Sequence, residues 1–300
     1  MVQAQERTVG FVGIGNMGAP MAANLARAGF DVVVYDADPA RVARYAAEHR
    51  VRGAETLADL AEATIVVTML PTGQIVREVM LEAEGRGLAA VLPQGALLID
   101  MSSSDPIGTR ALGEELARRG IAFVDAPVSG AVPRAKDGTL TIMIGGDDPA
   151  AIARAKPVLA AMGKSLFETG PLGSGHAMKA LNNYVAGAGF AAAAEALIVG
   201  ERFGLDPAVM IDIMNVSTGR NFSTESTIKG QVLTKAFASG FALALLAKDV
   251  KIAADLARGL GLDVPLTQLT SARWIEARDD IGGDKDHTAA FMSWKARAGA

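Results

Sequence analysis

The stretch Val9-Gly10-Phe11-Val12-Gly13-Ile14-Gly15-Asn16-Met17-Gly18 decides the fold of this chain. It is a short apolar run that ends in the glycine pattern G-x-G-x-x-G. A helical pattern follows at once and ends at Gly29, and a second apolar run, residues 32–35, leads directly into Asp36. Strand, glycine turn, helix, strand and acid thus follow one another in the order that a dinucleotide-binding βαβ unit requires.

Each glycine of the turn has its own physical role. Gly13 permits the tight turn, Gly15 lets the backbone approach a pyrophosphate, and Gly18 lets the helix pack closely on the strand. The helix N-terminus presents free N–H groups to the phosphates. The alternative is a tight strand–helix turn without a ligand, because glycine-rich turns are common. The order of the flanking elements favours the ligand, and the residues predicted to bind the cofactor are Gly13, Ile14, Gly15, Asn16, Met17 and Gly18.

Asp36 ends the second strand and predicts which dinucleotide is bound. An acid at this place accepts hydrogen bonds from the adenosine ribose and repels a 2′-phosphate. Its alternative role is to cap the helix that starts near Pro39, which Asp38 fits better. No arginine follows Asp36 directly, although Arg41 is near. The sequence therefore predicts NAD as cofactor, with NADP as the open alternative.

Composition excludes several classes of protein. The chain has 300 residues, of which 50% are hydrophobic and 21% are charged, so it is globular and long enough for about two domains. The net charge is −4 and basic residues form no block, which argues against nucleic acid and acidic membrane surfaces as partners. Cysteine is absent, and His49, His176 and His287 lack ligand spacing, so no metal site is predicted.

Two further expectations concern location and the most apolar segment. The N-terminal segment, residues 1–7, is short and polar and does not resemble a signal peptide, so a cytoplasmic protein is predicted. The segment 184–200 consists mostly of Ala and Gly and contains Glu195. We therefore expect a buried helix there and no membrane span.

Strand and helix signals alternate only in the first half of the chain. Continuous apolar runs are typical of buried parallel strands, and their alternation with helices predicts a doubly wound parallel sheet that is covered on both faces. From Gly173 onward the pattern is helical. The predicted architecture is α/β, with a Rossmann-type domain over residues 1–170 and an all-helical substrate and oligomerisation domain over residues 171–300. The strand signals lie at residues 65–69, 96–100, 121–125, 139–145 and 166–167, and the helical ones at 110–118, 177–203, 248–260, 266–278 and 288–297, with a further helix starting at Asp206-Pro207.

Open parallel sheets bind ligands at the C-terminal ends of their strands. The residues to inspect are therefore those just after each run, at 70–72, 102–104 and 127–130. Ser129-Gly130 follows a strand and precedes a loop of small residues. Backbone N–H groups in such a loop can hold a carboxylate. An ordinary turn is an equal alternative at this point.

Lys179 and Asn183 lie four residues apart in the long helical pattern, so their side chains share one face. The other residues of this helix are apolar or small, which favours partial burial or a cleft for the lysine. A lysine there can give and take a proton near neutral pH, because removal from water favours its neutral form. The alternative is a surface lysine. His176, at the start of the same pattern, is expected to be structural or half-exposed.

Two lysines near residue 250 have different surroundings. Lys251 and Asp255 form an i,i+4 pair, which is typical of a solvated helix face. Lys248 directly follows the apolar run 241–246, so its environment stays open at this point.

The chain resembles the β-hydroxyacid dehydrogenases, which include 3-hydroxyisobutyrate dehydrogenase and tartronate semialdehyde reductase. Four segments in the same order carry the resemblance. They are residues 10–18 with 21–25, residues 125–130 continuing to 138–141, residues 173–179 with Asn183, and Lys248-Asp249 with Asp255.

The resemblance implies roles for the individual residues. Lys179 would be the general acid and base, and Asn183 would hold the substrate beside it. The substrate carboxylate would bind to Ser129, Gly130 and the adjacent Ala131. Lys248 would close over nicotinamide and substrate. The remaining cofactor-site residues would be Met69, Leu70, Pro71 and Ser103.

Two positions depart from the family pattern. Ala131 stands where the family usually has a second glycine, and Ser103 stands where a threonine is usual. The first departure leaves the substrate open, because that loop would meet its carboxylate. 6-Phosphogluconate dehydrogenases share a related segment but usually have His-Asn where this chain has Asn182-Asn183. Imine reductases share the fold but usually replace the lysine.

The resemblance therefore implies an NAD-dependent dehydrogenase that acts on a small β-hydroxy acid. A semialdehyde reductase, acting on tartronate semialdehyde or sulfolactaldehyde, is the alternative within the family. A non-catalytic dinucleotide-binding sensor or scaffold is the alternative outside it, and such a protein would be expected to lose Lys179. The scarcity of charge along residues 177–203 predicts that this helix is covered on nearly all sides. A homodimer or homotetramer would supply that cover.

Overall fold

The computed structural model describes residues 8–83 and 87–299, so the N-terminal segment discussed above lies outside the described residues. The chain forms two compact units that divide between Lys179 and Ala180. Helix α7, Ser174–Phe203, runs through this division without a break. The predicted domain boundary at residues 170/171 stays a prediction.

The first unit is a nine-stranded sheet with helices. The strand order is β3-β2-β1-β4-β5-β6-β8-β7, and β9 pairs with β8. The strands are β1 Thr8–Val12, β2 Asp31–Tyr35, β3 Arg52–Gly53, β4 Ile65–Thr68, β5 Leu97–Asp100, β6 Ala122–Asp125, β7 Val128–Ser129, β8 Leu140–Gly145 and β9 Gly163–Gly170. The helices are α1 Gly18–Arg27, α2 Pro39–His49, α3 Gly73–Leu81, α4 Pro106–Arg118, α5 Ala131–Asp137 and α6 Pro149–Ala160, with 3₁₀ turns at Leu57–Leu60 and Leu88–Ala90.

The predicted Rossmann-type fold is confirmed, with one refinement. Strands β1 to β6 pair in parallel, but β8 runs antiparallel to both β6 and β7. Every residue of β4 and β5 is buried, which explains why these segments read as continuous apolar runs. Successive strand residues belong to the hydrophobic cores on opposite faces of the sheet. Phe11 and Val12 of β1, for example, lie in different cores.

Four helices start in the same way, with an aspartate as N-cap and a proline at the first helical position. The side chains of Asp38, Asp105, Asp148 and Asp206 each accept hydrogen bonds from backbone N–H groups of the first turn. Proline loses nothing there, because its missing N–H would have no partner within the helix. The capping role predicted for Asp38 is confirmed, and so is the predicted helix start at Asp206-Pro207.

The second unit is helical around an aromatic core. Trp274, Trp294 and Phe190 are fully buried, and their ring centroids lie 5.1–6.0 Å apart. Besides the main part of α7, the helices are α8 Pro207–Asn215, α9 Leu243–Gly259, α10 Pro265–Ile281 and α11 Ala290–Arg297, with a 3₁₀ turn at His287–Ala289 and a π-helix at Ser223–Val232.

Two features of this unit differ from the predictions. Helix α9 begins at Leu243, five residues before the predicted start, because the apolar run before Lys248 is itself helical. The π-helix had no periodic signal in the sequence. Its first turn is held by Asn221, whose side-chain oxygen accepts from the N–H groups of Ser223 and Thr224.

Helix α7 is only partly covered by its own chain. By length and composition it is apolar enough to cross a membrane, and 44% of its apolar window is buried. Val185, Val199 and Phe203 remain 67%, 69% and 84% exposed. The single chain therefore leaves part of this helix uncovered, and the predicted cover by a second copy of the chain stays a prediction.

Candidate active site

The C-terminal ends of the parallel strands lie along one edge of the sheet. Backbone hydrogen bonds of 2.7–2.9 Å continue the pairing past the strand ends, from Gly13 N to Tyr35 O, Met69 N to Val12 O, Met101 N to Thr68 O and Ala126 N to Asp100 O. The edge therefore carries the glycine turn, Asp36, the loop 69–71 and the loop 102–104. This is where open α/β sheets bind their ligands.

The glycine turn has the shape that a dinucleotide phosphate needs. Gly13 has φ +95°, and a Cβ there would lie 2.4 Å from the Met69 carbonyl oxygen. A Cβ on Gly18 would lie 1.9 Å from the Gly13 carbonyl oxygen, so helix and strand approach too closely for a side chain. A Cβ on Gly15 would meet nothing within 4 Å. The exposed backbone at Gly15 and Asn16 thus fits a phosphate at the start of α1.

Asp36 is engaged with three donors. Its carboxylate accepts from Ile14 N at 3.0 Å, from Asp38 N at 3.1 Å and from Arg41 Nη1 at 2.9 Å. Asp36 therefore holds the glycine turn in place through a hydrogen bond and also forms an ion pair with Arg41. Arg41 partly offsets the negative charge that would repel a 2′-phosphate.

The two loops predicted to line the cofactor site are joined to each other. Leu70 N donates to Ser102 Oγ at 2.9 Å, and Ser102 N donates to Asp100 Oδ1 at 3.0 Å. Met69, Leu70 and Ser103 are half-buried, while Pro71 is exposed. The loops therefore form one surface beside the glycine turn.

The segment Ser129–Ala131 is more ordered than a loop of small residues. Ser129 pairs with Thr141 in the antiparallel β7–β8 ladder, and a seven-residue helix, α5, starts at Ala131. The expectation of a loop is wrong here. Gly130 has φ +138° and Ala131 has φ +56°, so two successive residues lie in the left-handed region that favours glycine.

Lys179 and Asn183 lie one turn apart on α7, as the spacing predicts. Lys179 is half-buried and Asn183 is 7% exposed. In the second unit, Asn183 Nδ2 donates to Asp249 Oδ2 at 2.6 Å, and Lys248 Nζ lies 3.3 Å from Asp249 Oδ1. Asp249 is buried and therefore fixes the amide of Asn183.

Sequence reasoning missed the roles of Asp249, Asp100 and Asp125. Asp249 was noted only as part of the Lys248-Asp249 segment of the resemblance. Asp100 and Asp125 each follow an apolar strand pattern, and an acid at that place was a usable signal. Both acids are almost completely buried in the structure. His176 is 1% exposed, so the half-exposed alternative is wrong, and the structural alternative stays a prediction.

Two other interpretations concern the surface and metals. Lys251 and Asp255 form an ion pair on an exposed helix face, which agrees with the interpretation as a solvated pair. Within residues 8–83 and 87–299, no group of three His, Asp or Glu side chains is placed to hold a metal ion.

Two known protein families match this chain, one in its first half and one in its second half. Residues 8–170 match the family described as the NAD-binding domain of 6-phosphogluconate dehydrogenase. Residues 173–294 match the family described as NAD-binding of NADP-dependent 3-hydroxyisobutyrate dehydrogenase.

Individual relatives extend over almost the whole chain. The 2-(hydroxymethyl)glutarate dehydrogenase of Eubacterium barkeri is 34% identical over 97% of this chain and 96% of its own length. The 3-hydroxyisobutyrate dehydrogenase of Pseudomonas aeruginosa is 38% identical over 87% of this chain and 89% of its own. The solved structure of Mycobacterium tuberculosis 3-hydroxyisobutyrate dehydrogenase with L-serine superposes with a TM-score of 0.87, at 33% identity over 96% of this chain and 99% of that one.

The fold and the strand-end site thus define an NAD(P)-dependent oxidoreductase that acts on hydroxy acids. The chain belongs to the β-hydroxyacid dehydrogenase family, of the 3-hydroxyisobutyrate dehydrogenase type. The predicted family, fold class, enzyme class and dinucleotide cofactor are confirmed.

Proposed function

We propose that this chain oxidises a small β-hydroxy acid, or reduces the corresponding semialdehyde, with Lys179 as the general acid and base. The observation that carries the proposal is the pair Lys179 and Asn183, one turn apart on α7, with Asn183 fixed by the buried Asp249. A bound nicotinamide would supply the hydride chemistry. The residues that would hold it are those of the turn Gly13 to Gly18, together with Asp36, Met69, Leu70, Pro71 and Ser103.

The proton follows the direction of the reaction. In oxidation, neutral Lys179 takes the proton of the substrate hydroxyl while the adjacent carbon loses a hydride. In reduction, protonated Lys179 gives its proton to the developing alkoxide. A positioned base of this kind is worth about 10²–10⁴ in rate.

Asn183 has one amide hydrogen committed to Asp249, so its orientation is set before substrate arrives. Its second amide hydrogen is left to hold the substrate beside Lys179. The substrate carboxylate would meet Ser129 Oγ and the backbone N–H groups of Gly130 and Ala131, which lie between β7 and the start of α5. The role of Lys248 over nicotinamide and substrate stays a prediction.

The relatives support hydroxy acids as the substrate class but do not identify which hydroxy acid this chain uses. Those named above act on 3-hydroxyisobutyrate or 2-(hydroxymethyl)glutarate, which are both hydroxy acids with a primary alcohol. Tartronate semialdehyde and sulfolactaldehyde remain the alternative substrates. The sensor or scaffold alternative is disfavoured because Lys179, Asn183 and Lys248 are all retained.

The test is a panel of these hydroxy acids and semialdehydes with NAD and NADP, read as nicotinamide absorbance. The Lys179→Ala variant should lose about 10²–10⁴-fold in kcat, with nearly unchanged affinity for the dinucleotide. Lys229→Ala is the matched control, because Lys229 is exposed and paired with Asp212. Near-normal turnover in Lys179→Ala would remove the catalytic assignment, and no activity with any acid in the panel would remove the substrate class.

Assembly and location are proposed more coarsely. We propose a homodimer or a homotetramer that uses the helical half, with neither nucleic acid nor a membrane as partner. The support is the set of exposed apolar side chains on α7 and α8. A cytoplasmic location stays a prediction.

A further inference from the structure

Three buried ionisable side chains meet in the first unit, and neither the cofactor nor the substrate assignment uses them. Asp100 ends β5, Asp125 ends β6, and His176 lies in the first turn of α7. Their side chains are 0–2% exposed. A buried charge is costly unless it is paired, so the protonation state of this cluster has structural consequences.

Both acids are surrounded by donors. Asp100 accepts from Thr68 Oγ1 at 2.9 Å, Ser102 N at 3.0 Å and Ser104 Oγ at 2.9 Å. Each contact needs a lone pair on the acid and none needs a proton from it. Asp100 is therefore satisfied as a carboxylate.

Asp125 is held in the same way by the start of α7. It accepts from Gly173 N and His176 N, each at 2.7 Å. A Cβ on Gly145 or Gly175 would lie 2.4 Å and 2.8 Å from its two oxygens. Asp125 is thus a carboxylate that anchors the first turn of the helix carrying Lys179.

The hydroxyl of Thr109 bears on the protonation of one ring nitrogen of His176. The hydroxyl of Thr109 donates its single proton to Asp105 O at 2.9 Å. Its oxygen lies 2.8 Å from His176 Nδ1. A hydroxyl whose proton is used in this way can only accept from the ring, which favours a proton on Nδ1.

The other ring nitrogen faces a carboxylate. His176 Nε2 lies 3.5 Å from Asp100 Oδ2, and the described residues give it no hydrogen-bond partner. Nδ1 also lies 3.7 Å from Asp125 Oδ2. An unprotonated Nε2 would aim its lone pair at an anion, whereas a protonated Nε2 would be attracted by it.

Charged groups on the elements beside His176 have partners of their own. Arg110 Nε donates to Leu172 O, Asp105 caps α4, and Asp147 accepts from Leu172 N. Among the described residues, the carboxylates within 4 Å of the ring nitrogens are those of Asp100 and Asp125.

We propose that His176 is an imidazolium held between Asp100 and Asp125, and that this ion cluster positions residues of the active site. It fixes the first turn of α7, three residues before Lys179. Through Asp100 and Ser102 it also orders the loop at Leu70. The positioning part rests on the proposed role of Lys179, whereas the charge of His176 does not.

The charge is measured in the intact wild-type protein. The chain has three histidines, so imidazole ¹⁵N spectra of a histidine-labelled sample can be assigned with His49→Gln and His287→Gln variants. At pH 8 we expect both ring nitrogens of His176 to give the signal of a protonated nitrogen. An unprotonated nitrogen on His176 at pH 8 would overturn the imidazolium. This result is independent of whether Lys179 is catalytic.

The positioning role is measured by kinetics. In His176→Gln the cation is lost and Asp100 is left unpaired, so kcat should fall at least tenfold with a smaller change in KM. His176→Gln combined with Asp100→Asn removes both charges and should recover part of kcat. His49→Gln is the control. Wild-type kcat in His176→Gln overturns the positioning role, and a double variant no better than the single one overturns the role of charge.

Discussion

Asn183 Nδ2 and Asp249 Oδ2 are 2.6 Å apart, and both side chains are buried. Because a carboxylate only accepts hydrogen bonds, the Nδ2 end of the Asn183 amide faces Asp249 and the Oδ1 end points away from it. Two side chains separated by 66 residues act as one unit. The orientation of Asn183 is therefore a property of the helical half and exists before any ligand binds.

Removing the charge of Asp249 should disturb this unit without changing its volume. In Asp249→Asn the side chain can present either an oxygen or an NH2 group to Asn183, so the amide of Asn183 is no longer held in one orientation. Lys248 also loses its counter-ion, and we expect kcat to fall by about 10–100-fold. Asp255→Asn on the same helix changes an exposed acid and should leave kcat unchanged. Equal steady-state kinetics in the two variants would mean that Asp249 does not orient Asn183.

Cofactor preference should depend on the balance between Asp36 and Arg41. Asp36→Asn keeps an acceptor for Ile14 N–H but removes the negative charge, so the ratio of kcat/KM for NAD to that for NADP should fall by about tenfold. Arg41→Ala removes the offsetting cation and should raise the ratio. The check is steady-state kinetics with both dinucleotides. A wild-type preference for NADP would contradict the role given to Asp36.

Stability should depend on pH through His287 in the second unit. Burial lowers the pKa of His287 below its ordinary 6.5, although the charge of Asp286 and the Phe241 carbonyl oppose this effect. The unfolded chain therefore binds more protons than the folded one below pH 6.5, and stability falls as the pH falls from there toward the folded-state pKa. Above that window the stability contributed by neutral His287 is fully present.

Urea unfolding at pH 7.5 and pH 5.5 checks this sign. The loss of stability on acidification should be smaller in His287→Gln than in the wild type, at equal protein concentration. His49→Gln, which changes a surface histidine, should behave as the wild type. An identical loss in His287→Gln and the wild type would contradict the assignment.

Association of two copies should cover apolar side chains of the helical half. Val209, Ile213 and Val216 follow one another along one side of α8 and its end, and all are more than half exposed. Val199 and Phe203 lie one turn apart near the end of α7 and are likewise exposed. Light scattering after size exclusion should therefore give at least twice the 31.0 kDa chain mass. A single species at the chain mass, at micromolar concentration, would contradict this, while Ile213→Glu should shift a dimer toward it.

The sequence predicted the fold well because the features that define the fold leave signals in neighbouring residues. The glycine turn, the buried strands and the aspartate caps depend on residues that are adjacent in sequence. Asp249 could not be paired with Asn183 from sequence, because nothing local says which distant helix a buried amide meets. The cluster of Asp100, Asp125 and His176 was missed for the same reason. The π-helix was missed because a single ten-residue segment is too short to separate its i→i+5 pattern from that of an α-helix.

Ala131 has φ +56°, a backbone conformation that glycine adopts freely and alanine does not. The surrounding structure therefore has to hold Ala131 in a shape that its methyl group opposes. Glycine would adopt the same shape without that cost, so Ala131→Gly should raise the urea midpoint of unfolding. An unchanged midpoint would show that the surroundings leave no strain at this position. The segment proposed to bind the substrate carboxylate thus stores backbone strain, which the rest of the first unit offsets.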